Sequence, residues 1–402
     1  MNRNGGLAAV RSLPPGRPIR TLFVNGGILG LASFHQFLQE FLPRQTAIDG
    51  THIVLTEELT LFDRAIRRAI CQRVWVDGVL GLRNLDLARL RHEMHAGLLA
   101  RRRIQAAGPE RFDVIHFHRQ AAAYGSLDLM RRVPSVVSMD CTQECIIDGA
   151  TSAVERASYA PNVRIDGATF RRAAAVIATS SWAADSLHRY YPDCATPVHV
   201  MPNPVLLPHF DRGWIEQRRI RAQSGRLPRL LFIGGDFPRK GGADLLAAWQ
   251  AGGFHGRAEL EIVTNWDLPG PLPAGVTQTR NITAHSPQWR ALWAAADAFV
   301  MPTINEAFGL VYQEAAAAGI PAIGTNHNAV PEIILDGETG LLVPVGDRQG
   351  LAEAMHALVD SPELRARLGS QGRDRIEIVA SPETYMERLT AILTDAAQSR
   401  TA

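Results

Sequence analysis

Short apolar runs rich in β-branched residues alternate along this chain with longer patterns of helical periodicity. This alternation is typical of a parallel sheet covered by helices on both faces, and it occurs twice. The sequence therefore predicts an α/β protein with two doubly wound parallel-sheet domains. Strands are predicted at 19–25, 51–56, 113–117, 135–139, 175–179 and 198–201 in the first half, and at 229–234, 259–264, 281–283, 298–301, 322–325 and 340–343 in the second.

A proline pair and a polar, arginine-rich stretch separate the two halves, between Pro202 and Pro228. Because ligands bind at the carboxyl ends of the strands in such sheets, we expect the functional site in a cleft between the strand ends of the two domains. A final helix begins at Ser381, where serine caps and proline takes the first helical position. The predicted organisation is a flexible tail at 1–18, an N-terminal domain at 19–204, a linker at 205–228, a C-terminal domain at 229–380 and a helix at 381–402 that returns to the N-terminal domain.

Composition narrows the class of protein. The 402 residues are 46% hydrophobic and 20% charged, which suits two ordinary soluble domains. A net charge of +2 is too small to indicate a nucleic-acid partner. Four cysteines provide neither a disulfide framework nor a zinc site, so we expect a reducing, cytoplasmic setting. Residues 1–18 lack the apolar core of a signal peptide, and no apolar run of 18 residues predicts a membrane span.

Lys240 is the only lysine among the 42 lysine and arginine residues. It lies in a glycine-rich segment, 234–242, between a predicted strand and a predicted helix. Its compact ammonium and the planar guanidinium of Arg239 together suit an anionic group such as a diphosphate. Taken alone, a lysine retained by chance on a turn explains the observation equally well.

Two glutamates eight residues apart flank the predicted start of a helix. Glu306 precedes the helix and Glu314 lies inside it, roughly 12 Å away at ~1.5 Å per residue. Between them Phe308, Gly309 and Leu310 form the helix mouth, where free amides and the helix dipole favour an anion. We expect phosphates at this mouth, ribose hydroxyls on Glu314 and a sugar on Glu306. An ordinary helix start also carries glutamates without any ligand, so that alternative stays open.

These motifs, in this order, resemble the retaining glycosyltransferases of family 4, which have the GT-B fold. The resemblance covers about residues 19–395 and rests on Glu306-x7-Glu314 with Gly319-x-Pro321, on Asp297-x3-Met301-Pro302-Thr303, on Pro331-Glu332 and on Asp336-Gly-Glu-Thr-Gly340. It implies two Rossmann-like domains facing a central cleft. It also implies transfer of a hexosyl group, with retention at the anomeric carbon, from a nucleoside diphosphate sugar to the hydroxyl of a glycan, small-molecule or lipid-linked acceptor.

The resemblance also assigns roles in the C-terminal domain. The first glutamate of the motif would bind the sugar, the second the ribose, and a basic pair the diphosphate. Lys240 and Gly241 match the Lys-Gly step of the family. The arginine that usually lies five residues before this lysine is absent, since Gly235 stands there, and Arg239 is the candidate replacement.

In the N-terminal domain, Gly26 and Gly27 follow the first strand and resemble the family's glycine-rich loop, which approaches donor phosphate and acceptor. A tight turn is the alternative, and the glycine spacing does not fit a nicotinamide-binding fingerprint. His118 resembles the histidine that ends a family strand, although we favour a structural histidine there. Asp140 stands where many family members have a histidine. It could stabilise positive charge at the anomeric carbon, or it could cap the loop.

We therefore expect Glu306, Lys240, Arg239 and Asp140 to be catalytic, with catalysis chiefly electrostatic and with closure of the two domains over the donor. No metal ion is expected, because the chain contains no Asp-x-Asp motif and cations with a helix dipole could hold the leaving group. No cofactor is expected besides the nucleotide sugar as co-substrate. A GT-B epimerase or phosphorylase and a non-catalytic nucleotide-sugar-binding protein remain alternatives.

A basic segment, 61–105, interleaves arginines with apolar residues. Such a segment can lie on an anionic membrane, so peripheral contact with the inner membrane face is a hypothesis. A solvated helical face over the core is the alternative that we favour.

Overall fold

The computed structural model describes residues 16–26, 30–57, 59–70, 87–147, 153–211, 213–216, 225–268 and 270–399. The chain divides into two compact units. The first consists of Met1–Met201 with Tyr385–Ala402, and the second of Pro202–Thr384. Each unit has its own parallel sheet and its own hydrophobic core.

The sheet of the first unit has six parallel strands in the order β2-β1-β3-β4-β5-β6. All side chains of β3 and β4 are buried, because helices cover both faces of a parallel sheet. The strands are β1 (Ile19–Asn25), β2 (Ile48–Val54), β3 (Val114–Phe117), β4 (Ser135–Met139), β5 (Ala175–Ala178) and β6 (Val198–Val200). The helices are α1 (Gly30–Phe41), α2 (Leu61–Ile70), α3 (Ala88–Ala107), α4 (Gln120–Ala123), α5 (Gln143–Ile147), α6 (Ala153–Ser158), α7 (Ala160–Phe170) and α8 (Ser181–Tyr190).

The sheet of the second unit also has six parallel strands, in the order β12-β11-β10-β7-β8-β9. The strands are β7 (Arg229–Ile233), β8 (Glu259–Val263), β9 (Val276–Thr279), β10 (Ala298–Val300), β11 (Ala322–Thr325) and β12 (Gly340–Val343). The helices are α9 (Gly242–Gly252), α10 (Pro287–Ala295), α11 (Leu310–Ala317), α12 (Val330–Ile333), α13 (Arg348–Asp360), α14 (Pro362–Val379) and α15 (Pro382–Gln398). Both sheets confirm the predicted doubly wound α/β class.

The strand predicted at 281–283 is wrong. Asn281 has a φ of 59°, which no strand accommodates, and the edge strand is β9, five residues earlier. Val276 is buried, Thr277 is exposed, and Gln278 and Thr279 are half-buried in this edge strand, so the sequence offers no alternation of apolar and polar residues to predict it.

The segment predicted as a linker, 205–228, also needs correction at its start. Val205 and Phe210 are buried in the core of the second unit, so the chain enters this core soon after Pro202. At the other end of the chain, Tyr385 in α15 packs against Phe34 and Phe37 of α1, with ring centroids 5.8 and 5.5 Å apart. The final helix therefore contributes to the core of the first unit.

The basic segment 61–105 forms α2 and most of α3, and residues 71–86 lie outside the described residues. Arg102 pairs with Asp63 at 2.8 Å, and Arg101 pairs with Asp128, so part of the positive charge serves contacts within the first unit. None of the described helices is both long and apolar enough to cross a membrane. Contact with a membrane surface stays a prediction.

Two glycines one turn apart in α14 provide a matched test of the packing around α11. An alanine Cβ at Gly369 would overlap the carbonyl oxygen of Gly319, two residues beyond the end of α11, whereas one at Gly372 would find its nearest neighbour 3.5 Å away. We expect Gly369→Ala to lower the free energy of unfolding of the second unit by about 1–3 kcal/mol. Gly372→Ala should leave it unchanged or raise it by up to about 1 kcal/mol. Urea denaturation measures both, and equal effects would contradict this account of the packing.

Candidate functional site

The order of the strands decides where a ligand can bind. In each sheet the order reverses at one point, between β1 and β3 in the first unit and between β7 and β10 in the second. Ligands of doubly wound sheets bind at such switch points, beyond the carboxyl ends of the strands. The loops after β7 and β10 contain Lys240 and Glu306, so topology alone brings together two of the predicted residues.

The loop after β7 approaches the loop after β10 at a glycine. Gly241 has a φ of 75°, and a Cβ there would overlap the carbonyl oxygen of Pro302. The next residue, Gly242, leaves room for the buried ring of Phe237. Only glycine satisfies both the positive φ and the close approach at 241. The Lys-Gly step thus has a steric cause.

Lys240 contacts Glu306 through its ammonium and the Oε2 atom of the carboxylate. The two side chains are only 15% and 12% exposed, so this ion pair is largely withdrawn from water. Burial, aided by the adjacent Arg239 guanidinium, lowers the pKa of Lys240 to about 7. The charge of Asp236 opposes this shift, because an opposite charge favours the ammonium form. This ion pair is charged and weakly solvated, and an anion that enters the site could separate its two side chains.

Arg239 is the second predicted cation, and part of its guanidinium is already used. Its Nε donates to Asp236 at 3.1 Å and its Nη1 to the carbonyl oxygen of Asn305 at 2.6 Å. Its Nη2 has no partner in the described part of the chain. Arg239 therefore joins the two loops and keeps one terminal nitrogen for a ligand.

Thr303 was named only as part of the family motif and Asn305 was not named, so neither residue received a role from the sequence. The buried Thr303 hydroxyl lies 3.3 and 3.2 Å from the carbonyl oxygens of Arg239 and Asn305, and the Asn305 side chain accepts from Asn328 at 3.1 Å. These contacts order the loop that carries Glu306. Their only sequence signal is proximity to the glutamate motif.

The helix mouth at α11 is formed as the sequence predicts. Gly309 precedes the helix with a φ of 88°, and a Cβ there would come within 3.2 Å of the Cγ atom of Glu306. Glu306 therefore lies against the start of the helix, whose first amides have no acceptor within the helix. Phe308 is buried and Leu310 half-buried on either side of this glycine.

Glu314 differs from Glu306 in having no partner. Among the residues that the structure describes, none donates a hydrogen bond to its carboxylate or pairs with it, although the side chain is half-buried. Burial raises the pKa of Glu314 to about 8. A carboxyl group that is sheltered and unpaired is an acceptor available for ligand hydroxyls.

In the first unit, Asp140 and Arg119 follow neighbouring strands, β4 and β3. The Asp140 carboxylate is exposed. Burial lowers the pKa of the Arg119 guanidinium, but Asp140 and Glu93 outweigh burial and leave it above its ordinary value. Asp140 therefore acts on a neighbouring arginine that the sequence analysis missed, although Arg119 directly follows His118.

His118 is enclosed. Its ring stacks on Phe34 with centroids 3.5 Å apart and planes 3° apart, and burial holds its pKa well below the ordinary value. The neighbouring His116 lies 2.7 Å from the Ser138 hydroxyl through Nε2. These surroundings are those of structural histidines, the alternative that the sequence favours, and a donor-binding role for His118 stays a prediction.

Of the two glycines after β1, Gly26 is half-buried at the carboxyl edge of the sheet, and Gly27 lies outside the described residues. Where the chain is described, no group of three or more histidine, cysteine, aspartate or glutamate side chains is arranged to hold a metal ion.

Comparison with known proteins identifies relatives for both units. The model of the glycosyl transferases group 1 matches residues 275–375, and that of glycosyltransferase family 4 matches residues 55–207. The D-inositol 3-phosphate glycosyltransferase of Pseudarthrobacter chlorophenolicus is 30% identical over 307 residues, 71% of this chain and 70% of that protein. The glycogen synthase of Mycobacterium tuberculosis is 27% identical over 296 residues, 70% of this chain and 69% of that protein.

Solved structures share the fold. The sucrose-phosphate synthase of Thermosynechococcus elongatus has a TM-score of 0.71 at 19% identity, covering 94% of this chain and 100% of that one. Anabaena HepE, in complex with UDP and glucose, has a TM-score of 0.62 at 16% identity, covering 94% and 99%. The expected GT-B fold is thereby confirmed.

The unpaired carboxyl group of Glu314 generates a prediction about stability and pH. Between pH about 4.5 and about 8 the folded chain holds a proton at Glu314 that the unfolded chain has released, so this residue lowers stability as pH rises through that window. We expect Glu314→Gln to match the parent at pH 5 and to exceed its free energy of unfolding at pH 8.5. Urea denaturation at both pH values measures this.

Glu353→Gln, on the exposed face of α13, controls for the loss of a negative charge. A difference between the Glu314 variant and the parent that is the same at both pH values would show that this carboxyl group is not sequestered.

Proposed function

The chain belongs to the group 1 glycosyltransferases of family 4, and on this premise we propose that it moves a hexosyl group from a nucleoside diphosphate sugar to an acceptor hydroxyl, with retention at the anomeric carbon and without a metal ion. The observation that carries the proposal is the sheltered pair of Lys240 and Glu306 against the start of α11. A cation, an acid and free helical amides meet there at one topological switch point.

The donor would bind along α11. Its diphosphate would occupy the helix mouth at Gly309 and Leu310, where amides and dipole both favour an anion. The ribose hydroxyls would donate to Glu314, whose carboxyl group has no partner among the described residues. Phe308 would hold the mouth in place from the buried side.

Catalysis would be electrostatic. As the bond between the anomeric carbon and the diphosphate oxygen breaks, negative charge grows on the leaving group. The Lys240 ammonium and the free nitrogen of Arg239 would stabilise that charge, in a site where weak solvation strengthens each interaction. An anion beside Lys240 also favours its protonated form, which opposes the lowering of its pKa by burial.

Glu306 would then be released from Lys240 to the sugar. When the diphosphate takes the ammonium, the carboxylate can accept hydrogen bonds from sugar hydroxyls close to the reacting carbon. Asp140, exposed after β4, would stabilise positive charge at that carbon in place of the family's histidine. Since the cations and the helix mouth supply the leaving-group stabilisation, we propose that no divalent metal takes part.

The acceptor is a hydroxyl compound whose class the relatives illustrate. Their names include glycosyltransferases acting on inositol 3-phosphate and a glycogen synthase, so polyol phosphates and glycans are both reasonable acceptors to test. A non-catalytic nucleotide-sugar-binding protein remains the second candidate, because Asp140 replaces the histidine. Binding of a nucleotide sugar without any release of nucleotide would favour it.

The roles of Lys240 and Glu314 can be separated by kinetics. With a panel of UDP-, GDP- and ADP-sugars, we expect Lys240→Ala to lower nucleotide release by ~10² or more, through lost charge stabilisation. Glu314→Ala should weaken donor binding by roughly tenfold or more in a thermal-shift titration, because the hydrogen bonds between its carboxyl group and the ribose hydroxyls are lost. Arg257→Ala removes an exposed cation paired with Asp360 and should keep the parental rate. If both site variants also kept that rate, the site assignment would be wrong.

Retention and independence of metal have their own test. We expect the anomeric proton of the product to show, by NMR at early times, the same configuration as the donor. Excess EDTA should leave the rate unchanged, because protein cations supply the stabilisation. An inverted product or a loss of activity that Mg²⁺ or Mn²⁺ restores would refute the respective part of the proposal.

A further inference from the structure

A cavity of about 70 Å³ lies at the carboxyl edge of the sheet in the first unit. It is reached by the ends of β1, β2 and β3, and α2 and α3 form its other walls. This is the switch point of the first sheet, where a ligand is expected. Its lining combines apolar groups such as Leu55, Leu59 and Leu99 with five ionisable side chains, which are Arg67, His92, Glu93, His95 and Arg119.

The single acid in this lining is already satisfied. Glu93 accepts from Gln143 at 2.9 Å and from Asn162 at 2.7 Å, and it pairs with Arg89 at 3.1 Å. Arg119 reaches it only at 4.0 Å. The Glu93 carboxylate is therefore held by Gln143, Asn162 and Arg89, and the cavity arginines do not pair with it closely.

The cations of the lining are not satisfied in the same way. Arg67 has no hydrogen bond and no ion pair with any residue in the described ranges, and Arg119 has only the loose contact with Glu93. His92 and His95 stand one turn apart on α3. Burial lowers the pKa of both imidazoles, and the charge of Arg67 lowers it further. Glu93 opposes the shift at His92, and Asp63 opposes it at His95. Two guanidinium groups and two imidazoles thus line one small space with a single acid, Glu93. Among the described residues, no carboxylate forms a hydrogen bond with the guanidinium of Arg67 or Arg119, although Asp140 and Glu93 act on Arg119 from a distance.

The size of the space limits what can enter. One water molecule needs about 10–15 Å³ of cavity volume, so this cavity holds roughly five water-sized positions. A phosphate group has five non-hydrogen atoms. Its several oxygens can accept hydrogen bonds from two guanidinium forks and two imidazoles at once, which a planar carboxylate with two oxygens cannot.

We propose that this cavity binds a phosphate group carried by the acceptor. The assignment to the acceptor rests on the proposed function, in which the donor diphosphate is bound by the second unit. The phosphate could belong to a soluble polyol or sugar phosphate, or to the headgroup of a lipid. In both cases the same four side chains recognise a phosphoryl group and fix the orientation of the hydroxyl that is glycosylated.

Phosphate binding by the full chain tests the cavity without any transfer reaction. We expect isothermal titration with inorganic phosphate to show one saturable site. Arg67→Gln and Arg119→Gln should each weaken it by tenfold or more, because charge-assisted hydrogen bonds are lost. Arg64 is exposed on α2 like Arg67 but does not line the cavity, so Arg64→Gln should bind phosphate as tightly as the parent. No binding by the parent, or equal binding by the Arg67 and Arg64 variants, would overturn the proposal.

The Arg67 variant keeps this test valid even if the half-buried Arg119 is needed for folding, because Arg67 is exposed on α2 and has no partner among the described residues. Thermal melting of each variant identifies such a folding defect. Binding of the nucleoside diphosphate that the parent accepts, among UDP, GDP and ADP, should be the same in the parent and in Arg67→Gln, since the proposed donor site lies in the other unit. If the parent binds none of the three, the proposed function is refuted. If it binds one of them but has no phosphate site, only this inference is refuted.

Two further experiments distinguish a soluble phosphate ester from a lipid headgroup as the source of the phosphate. Glycerol 3-phosphate should compete with inorganic phosphate if a soluble ester is bound. Phosphatidylglycerol vesicles should co-sediment the parent but not Arg67→Gln if a lipid headgroup is bound, with phosphatidylcholine vesicles as the control. Competition by glycerol 3-phosphate, or co-sedimentation with phosphatidylglycerol vesicles that Arg67→Gln abolishes, supports the cavity as a phosphate site, and failure of both contradicts it.

Discussion

The close approach of Gly241 to the carbonyl oxygen of Pro302 is the constraint on which the site of the second unit depends. The loops after β7 and β10 belong to adjacent strands, but adjacency alone would leave their side chains several ångströms apart. Removing the Cβ atom at 241 lets the two backbones touch. Lys240 is then placed against Glu306, and Arg239 is drawn onto the carbonyl oxygen of Asn305. A larger residue at 241 would separate both contacts at once.

The two glutamates of the motif differ in their electrostatic properties because their surroundings differ. Glu306 faces an ammonium and has a counter-charge before any ligand arrives. Glu314 lies inside the helix without a partner in the described chain, so burial raises its pKa to about 8. A charged acid suits contact with a cationic or electron-poor centre, and a sheltered acceptor suits neutral hydroxyls. The spacing of eight residues keeps these environments separate.

The sequence predicted the fold well where local signals agree with tertiary structure. Buried strands such as β4 and β11 are short segments of small and apolar residues between proline and loop signals, and their bounds were predicted to the residue. It failed at 281–283, because a short polar segment with a positive φ at Asn281 resembles a strand only in composition. The helix mouth was predictable because its parts lie within nine residues. The cavity of the first unit was not, because Arg67, His95 and Arg119 come from three distant elements that only the folded chain brings together.

The complete core of the first unit depends on α15, a helix most of which follows the second unit in the chain. Tyr385 fills the space between Phe34 and Phe37, and Arg388 donates to the carbonyl oxygen of Val200 at 2.7 Å. During synthesis, the second unit is therefore the first whose complete set of contacts has left the ribosome, although it is encoded later. The first unit must wait, with part of its apolar surface uncovered, until Tyr385 and Arg388, which follow the second unit in the chain, have emerged.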